Sequence, residues 1–137
     1  MDPLIPYLTF DGNCEEAMNF YKDALDGEIE SMMTFEDAPM EIPEDHKSKI
    51  MHSTMKAGEL TIMASDRMPE YPFNSGNNVA LSMNFRNEED QKKVFDNMSA
   101  GGNVTMPLQD TFWGAKFGMC TDKFGINWMF NHDKPQA

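Results

Sequence analysis

Cysteine, histidine and basic side chains are all scarce in this chain, and each shortage closes off a class of function. Cys14 and Cys120 are the only cysteines in 137 residues, too few for a disulfide framework and without the CxxC spacing of a zinc or redox pair. Free thiols are the expectation. His46, His52 and His132 show neither HxH nor HxxxH spacing, so a metal centre would need ligands gathered from unrelated loops. No apolar run approaches the roughly 18 residues that cross a bilayer, and Met1-Asp2-Pro3 lacks the basic flank and apolar core of a signal peptide. A cytoplasmic protein with no membrane contact is expected. Gly12 and the pair Gly101-Gly102 match neither the Walker nor the dinucleotide fingerprint. Lys and Arg number 11 against 23 Asp and Glu, a net charge of −12 that repels phosphate backbones and anionic lipid and disfavours a nucleic-acid role.

What is present is the material of one folded domain. At 40% hydrophobic and 11% aromatic, the chain can bury one real core but is too short for two large ones. Leu4 to Phe10 reads as a strand, broken by the turn residues Asp11-Gly12-Asn13. Asn13 then predicts a helix cap with Glu16 in the capping-box position, a buried face of Ala17, Phe20, Tyr21, Ala24 and Leu25, and a stop at Gly27. Glu28 to Phe35 reads as a strand, and Ile50 to Lys56 with Leu60 to Ser65 as a hairpin. Between them the loop Glu36 to Lys47 is long enough to be a lid over a pocket.

Asp66 to Asn77, with Pro69, Pro72 and Gly76, looks like a linker, after which the pattern restarts. Val79 to Phe85 is the next strand, and Asn87 caps a helix with Asp90 three residues in, a stripe of Val94, Phe95 and Met98, and an end at Gly101-Gly102. Three strands follow near Val104 to Leu108, Ala115 to Thr121 and Ile126 to Phe130. The halves align at one constant offset, Asn13 on Asn87, Tyr21 on Phe95, Gly27 on Gly101. This is an internal repeat within a single domain 1–137, with modules 1–66 and 78–137, each strand, helix, strand, strand, strand. Neither half alone can bury both its helix face and its sheet, so the two are expected to pair.

A repeated βαβββ unit resembles the vicinal oxygen chelate superfamily of glyoxalases, bleomycin and fosfomycin resistance proteins and extradiol dioxygenases. The local motifs resemble its PhnB-like branch: Tyr7 to Asn13, Glu16-Ala17, Phe20-Tyr21, Ile50-Met51-His52, Ser65-Asp66, Val104 to Leu108, Phe112-Trp113-Gly114, Phe117-Gly118 and Thr121 to Gly125. The resemblance implies an α+β fold, two paired βαβββ modules forming a curved, cup-shaped mixed sheet with helices outside, and a homodimer. Labels in this branch, glyoxalase-like or demethylubiquinone methyltransferase-like, carry no activity over by fold alone.

In the metal-dependent members of the superfamily, four strands each send a ligand to the metal. Laid on that pattern, this chain offers Ile5, Met63, Asn78 and Met129. A hydrocarbon, two thioethers and one amide do not suit a divalent catalytic metal, so neither a metal nor another cofactor is expected.

Alternation along the strands would put Tyr7, Thr9, Thr61, Ser65, Ala80, Ser82 and Asn127 on the cup face with those four residues, and Leu8, Phe10, Ile62, Val79, Leu81, Met83, Phe85, Trp128 and Phe130 against the helices. Of the fourteen methionines, Met18, Met33, Met83 and Met98 fit core positions, leaving Met63 and Met129 as soft walls of a pocket. Trp113 and Phe117 offer aromatic faces to a planar or cationic ligand, or a dimer or core contact. His52, on a strand, is either a base or a structural donor to a carbonyl. Cys14 sits where a helix dipole favours thiolate, opposed by Glu15 and Glu16. Asp66, Asp110 and Asp122 at strand ends read as turn or solvent carboxylates.

The candidate substrate-binding residues are therefore Tyr7, His52, Met63, Ser65, Asn78, Trp113, Phe117, Asn127 and Met129. The leading expectation is metal-independent binding of a small organic molecule. The alternative is an enzyme, a lyase, isomerase or transferase, in which His52, Tyr7 or Asp66 moves a proton. A structural or partner-binding role, marked by a large exposed apolar patch, is the third.

Overall fold

Pro3 and Pro6 have no backbone N–H to give a ladder, and the first strand starts only beyond them. In the computed structural model, which describes residues 1–135, β1 spans Tyr7–Phe10. The expected start at Leu4 is corrected: Leu4 and Ile5 are exposed and precede the strand. The order continues α1 (Cys14–Ala24), β2 (Glu28–Thr34), β3 (Ile50–Ala57), β4 (Leu60–Asp66), β5 (Leu81–Asn84), α2 (Glu88–Ser99), β6 (Asn103–Asp110), β7 (Ala115–Thr121) and β8 (Asn127–Asp133). The described chain divides into two compact units, one Met1–Asn74 and the other from Ser75 onward.

Within the first unit the strand order is β1-β4-β3-β2, with β1 parallel to β4 and the remaining pairs antiparallel. The second unit repeats this as β5-β8-β7-β6, with β5 parallel to β8. Each unit is thus a four-stranded mixed sheet with one helix on one face, an α+β arrangement in which α1 packs on β2, β3 and β4 and α2 on β6, β7 and β8. In the first unit Ala17, Met18, Tyr21 and Ala24 of α1 are buried with Leu8, Phe10, Met55, Ile62 and Ala64 of the sheet. In the second, Phe95 and Met98 of α2 are buried with Cys120, Trp128 and Phe130, and the Phe95 and Phe130 rings meet edge to face at 5.0 Å.

The stripe read for α2 omitted Gln91, which is fully buried and donates from Nε2 to the carbonyls of Lys116 and Phe130 at 2.8 and 3.1 Å. Val79, expected against the helix, is 68% exposed because β5 begins two residues later. The loop Glu36 to Lys47 carries two short 3-10 turns, Phe35–Asp37 and Glu44–His46. It is held to its own unit, with the His46 ring 4.8 Å from that of Phe35 and its Nε2 2.8 Å from the Arg67 carbonyl.

Repeat positions shift by one residue along the helices, and backbone geometry shows where. Asp26 has φ +54 and Gly101 has φ +75, so these two occupy the same left-handed turn after α1 and α2. The next residues are also equivalent: a Cβ on Gly27 would lie 2.5 Å from the Lys56 carbonyl, and one on Gly102 2.4 Å from that of Thr121. Gly27 therefore matches Gly102, where the constant offset pairs it with Gly101. The extra residue belongs to α2, which has 12 residues against 11 in α1.

Candidate ligand-binding face

Register sorts the side chains of the first unit onto two faces. Ser53 and Met55 of β3 point to α1, so His52 and Thr54 point the other way, as do Tyr7 of β1 and its partner Met63 of β4. Tyr7 reaches across β4, and its Oη lies 3.1 Å from His52 Nδ1. The other ring nitrogen, Nε2, lies 3.3 Å from Thr54 Oγ1. An imidazole held at both nitrogens by hydroxyls thus occupies the sheet face that the helix leaves uncovered. Tyr7 is 49% exposed there, whereas Thr54 is only 9% exposed. Ser65, two residues beyond Met63 on β4, shares this face.

Of the candidates in this unit, Tyr7 and His52 are in direct hydrogen-bond contact, and Met63 and Ser65 line the same surface. Thr54 went unnoticed, although its position two residues beyond His52 was the signal for it. Met33, assigned to the core, is instead paired with His52 and 40% exposed, which places a second thioether on the open face. A bulge in β2 shifts its side chains relative to β3, and strand alternation alone cannot foresee that.

In the second unit, Asn127 and Met129 of β8 lie on the helix-free face. Asn127 Oδ1 accepts from Thr121 Oγ1 at 2.7 Å, and Met129 is opposite Met119 of β7 and Ser82 of β5. Trp113 and Phe117 have ring centroids 6.2 Å apart, and Phe112 stands edge-on to Trp113 at 5.0 Å. Phe112 is 97% exposed. Asn78 lies in the segment before β5 and is exposed, so it has no place in the sheet register.

The remaining polar candidates are structural. Asp66 is buried on the α1 side, its Oδ1 accepting from the backbone N–H of Gly12 and Cys14 and its Oδ2 from that of Ile50, all at 2.8 to 2.9 Å. The carboxylate is therefore committed to the helix side, away from His52. It also caps α1, for Asn13 makes no side-chain cap bond. Asp122 likewise takes the N–H groups of Phe124 and Ile126 and the Trp128 indole. Asp110 pairs with Lys134 at 2.5 Å, which holds its carboxyl below the ordinary range.

At Cys14 the environment decides against the thiolate that the helix dipole favours. Ser53 Oγ already donates to the Ala64 carbonyl at 2.8 Å, leaving the thiol to donate to Ser53 at 3.7 Å. Burial pushes its pKa up to about 12, and Asp66 and Glu15 add to the rise. Cys120 is raised to about 11, first by burial and then by Asp122.

The residues from 2 to 130 match the family model described as 3-demethylubiquinone-9 3-methyltransferase. The chain belongs to this PhnB-like family. Protein YjdN of Escherichia coli (strain K12) is 35% identical over 147 residues, a stretch covering 98% of this chain and 97% of the relative. Protein PA1353 from Pseudomonas aeruginosa superposes with a TM-score of 0.89 at 41% identity, covering 98% of this chain and all of that one. The PhnB protein of Bacillus cereus gives 0.78 at 28% identity over 96% and 99% of the two chains. The fold extends to a glyoxylase/bleomycin resistance protein/dioxygenase domain from Frankia sp. EAN1pec, with a TM-score of 0.70 at 14% identity.

That wider superfamily raises the matter of a metal. Of the four ligand positions, Ile5 is a hydrocarbon, Met63 and Met129 are thioethers, and Asn78 stands outside the strand that would aim it. Among the described residues no group of three or more His, Cys, Asp and Glu side chains is arranged to hold an ion. These residues do not fit a divalent metal.

Proposed function

We propose that this PhnB-like protein binds a small organic molecule, without a metal ion, on the helix-free sheet face that carries Tyr7, His52, Met63 and Ser65. The carrying observation is the Tyr7–His52–Thr54 chain, with contacts of 3.1 and 3.3 Å, set beside the thioethers of Met33 and Met63. A few polar groups in a soft apolar surround are what orient and hold a small ligand. On the second unit's own open face, Asn127 and Met129 are proposed as a separate set of ligand contacts, together with Trp113, Phe117 and Asn78. The proposal includes a cytoplasmic homodimer in which each chain is a single domain 1–137 with modules 1–66 and 78–137.

The test is a ligand-observed NMR screen of small organic fragments on untagged protein, with and without EDTA. Hits that persist in EDTA and vanish in Tyr7→Phe and His52→Ala support the reading. Hits that require an added divalent ion, or that survive both substitutions, overturn it. A second reading rests on the same contact, since a phenol and an imidazole in hydrogen-bond reach can pass a proton. Conversion of a hit during the screen, including methylation from a methyl donor, would make the protein an enzyme.

A further inference from the structure

The two hydroxyls that hold His52 define which ligand chemistry the face accepts, given that the face binds ligands at all. A neutral imidazole has one N–H and one lone pair. When the N–H is on Nε2, Thr54 accepts it and Tyr7 donates its O–H inward to Nδ1, so the phenol shows a ligand only lone pairs; when it is on Nδ1, Tyr7 accepts it and its O–H is free to turn outward, but with no positive charge behind it. When His52 is protonated, both ring nitrogens donate, to Tyr7 Oη at 3.1 Å and to Thr54 Oγ1 at 3.3 Å. Tyr7 is then obliged to turn its O–H outward, onto the half-exposed side of the sheet, with a positive charge directly behind it.

We infer that the ligand carries an anionic oxygen group, a carboxylate or its equivalent, that accepts from Tyr7 Oη and is taken up together with one proton on His52. Tyr7 is the group that touches the ligand, and Thr54 is a positioning residue that keeps the ring aimed at Tyr7.

The surroundings agree with an anion at this spot. On the same face β1 supplies Thr9, and β4 supplies Thr61, Met63 and Ser65, none of them charged. β2 supplies Ser31 and Met33 next to the triad and Glu28 and Glu30 towards its far end, where Lys56 of β3 pairs with Glu30 at 3.4 Å. On these strands, therefore, no carboxylate stands next to Tyr7. The net charge of −12 acts over distances that physiological salt screens beyond about 8 Å. Thioethers of Met33 and Met63 flank the polar group, so the rest of the ligand is apolar or aromatic.

Benzoate, benzamide and benzylammonium share one body and differ in charge, so they make the test. Each is titrated into the full chain from pH 5.5 to 8 at 150 mM salt, following the imidazole signals of His52 by NMR. Benzoate is expected to bind at least tenfold tighter than the other two at pH 5.5. Its dissociation constant should then rise with pH, while that of benzamide stays flat. His52→Gln should flatten the benzoate profile, and Tyr7→Phe should abolish the preference for benzoate. The amide signals of both variants report that the fold is kept.

Equal affinity for the three probes, or a benzoate profile flat in pH, overturns this inference and leaves the metal-free binding reading standing. Failure of benzoate to bind while other fragments do has the same meaning. If no probe and no fragment reaches His52, both fall.

Discussion

A thiol's fate in this protein was decided by where its neighbours stand, not by its place in the sequence. Cys14 occupies the first turn of a helix, yet burial outweighs the dipole and pushes its pKa from the ordinary 9.0 up to about 12. The folded state therefore keeps the proton that the unfolded state releases above pH 9. A raised folded pKa contributes stability that is fully present below pH 9 and lost as pH climbs towards 12, by about 1.4 kcal/mol per unit. Urea unfolding of wild type and Cys14→Ala between pH 8 and 10.5 should show a steeper decline for wild type. Parallel slopes would mean that the thiol is solvated in the native state. His52 shows the same dependence on neighbours: its residue type suggested a base, but only the sheet register put Tyr7 and Thr54 on its two nitrogens.

At the scale of single elements, two helices with the same apparent start signal are capped by different means. Asn87 accepts from the Asp90 N–H at 2.8 Å and closes α2 locally. Asn13, in the matching position, does nothing of the kind, and the carboxylate of Asp66, 52 residues from Cys14 in sequence, takes over. Replacing Asn87 by Ala should cost about 1 kcal/mol. Asn13→Ala should cost less than about 0.5 kcal/mol. Asp66→Ala strands two buried N–H groups and one partly buried one and should cost on the order of 3 kcal/mol. Chemical denaturation of the three variants checks the ranking, and an Asn13 variant as damaged as the Asn87 one would contradict it. The capping motif was legible in both helices. Its actual use was not, because a long-range acceptor competes for the same donors.

For the whole molecule, composition makes its own prediction. A chain with 23 acidic and 11 basic side chains repels itself when folded, and salt relieves that repulsion. The melting temperature should rise between 10 and 300 mM NaCl, by several degrees and without ion specificity. A fall with salt would show that attractive pairs such as Lys116–Glu88, at 3.1 Å, outweigh the excess charge. No helix among the described residues is long and apolar enough to cross a membrane, as the absence of long apolar runs foretold.

Strand, helix and strand order followed from the sequence by itself, because hydrophobic period and turn residues are local signals. Of the nine residues read as helix-facing, Leu8, Phe10, Ile62, Trp128 and Phe130 are buried, whereas Leu81, Met83 and Phe85 are only partly so and Val79 is exposed. Tyr7 and His52 were recognisable as candidates by residue type. Tertiary structure alone decided that they touch, that Thr54 completes the pair, that Met33 turns outward and that Asp66 is a cap. Each of those depends on which residue of one strand lies opposite which residue of another. Register is a property of paired strands, and no window on a single chain segment contains it.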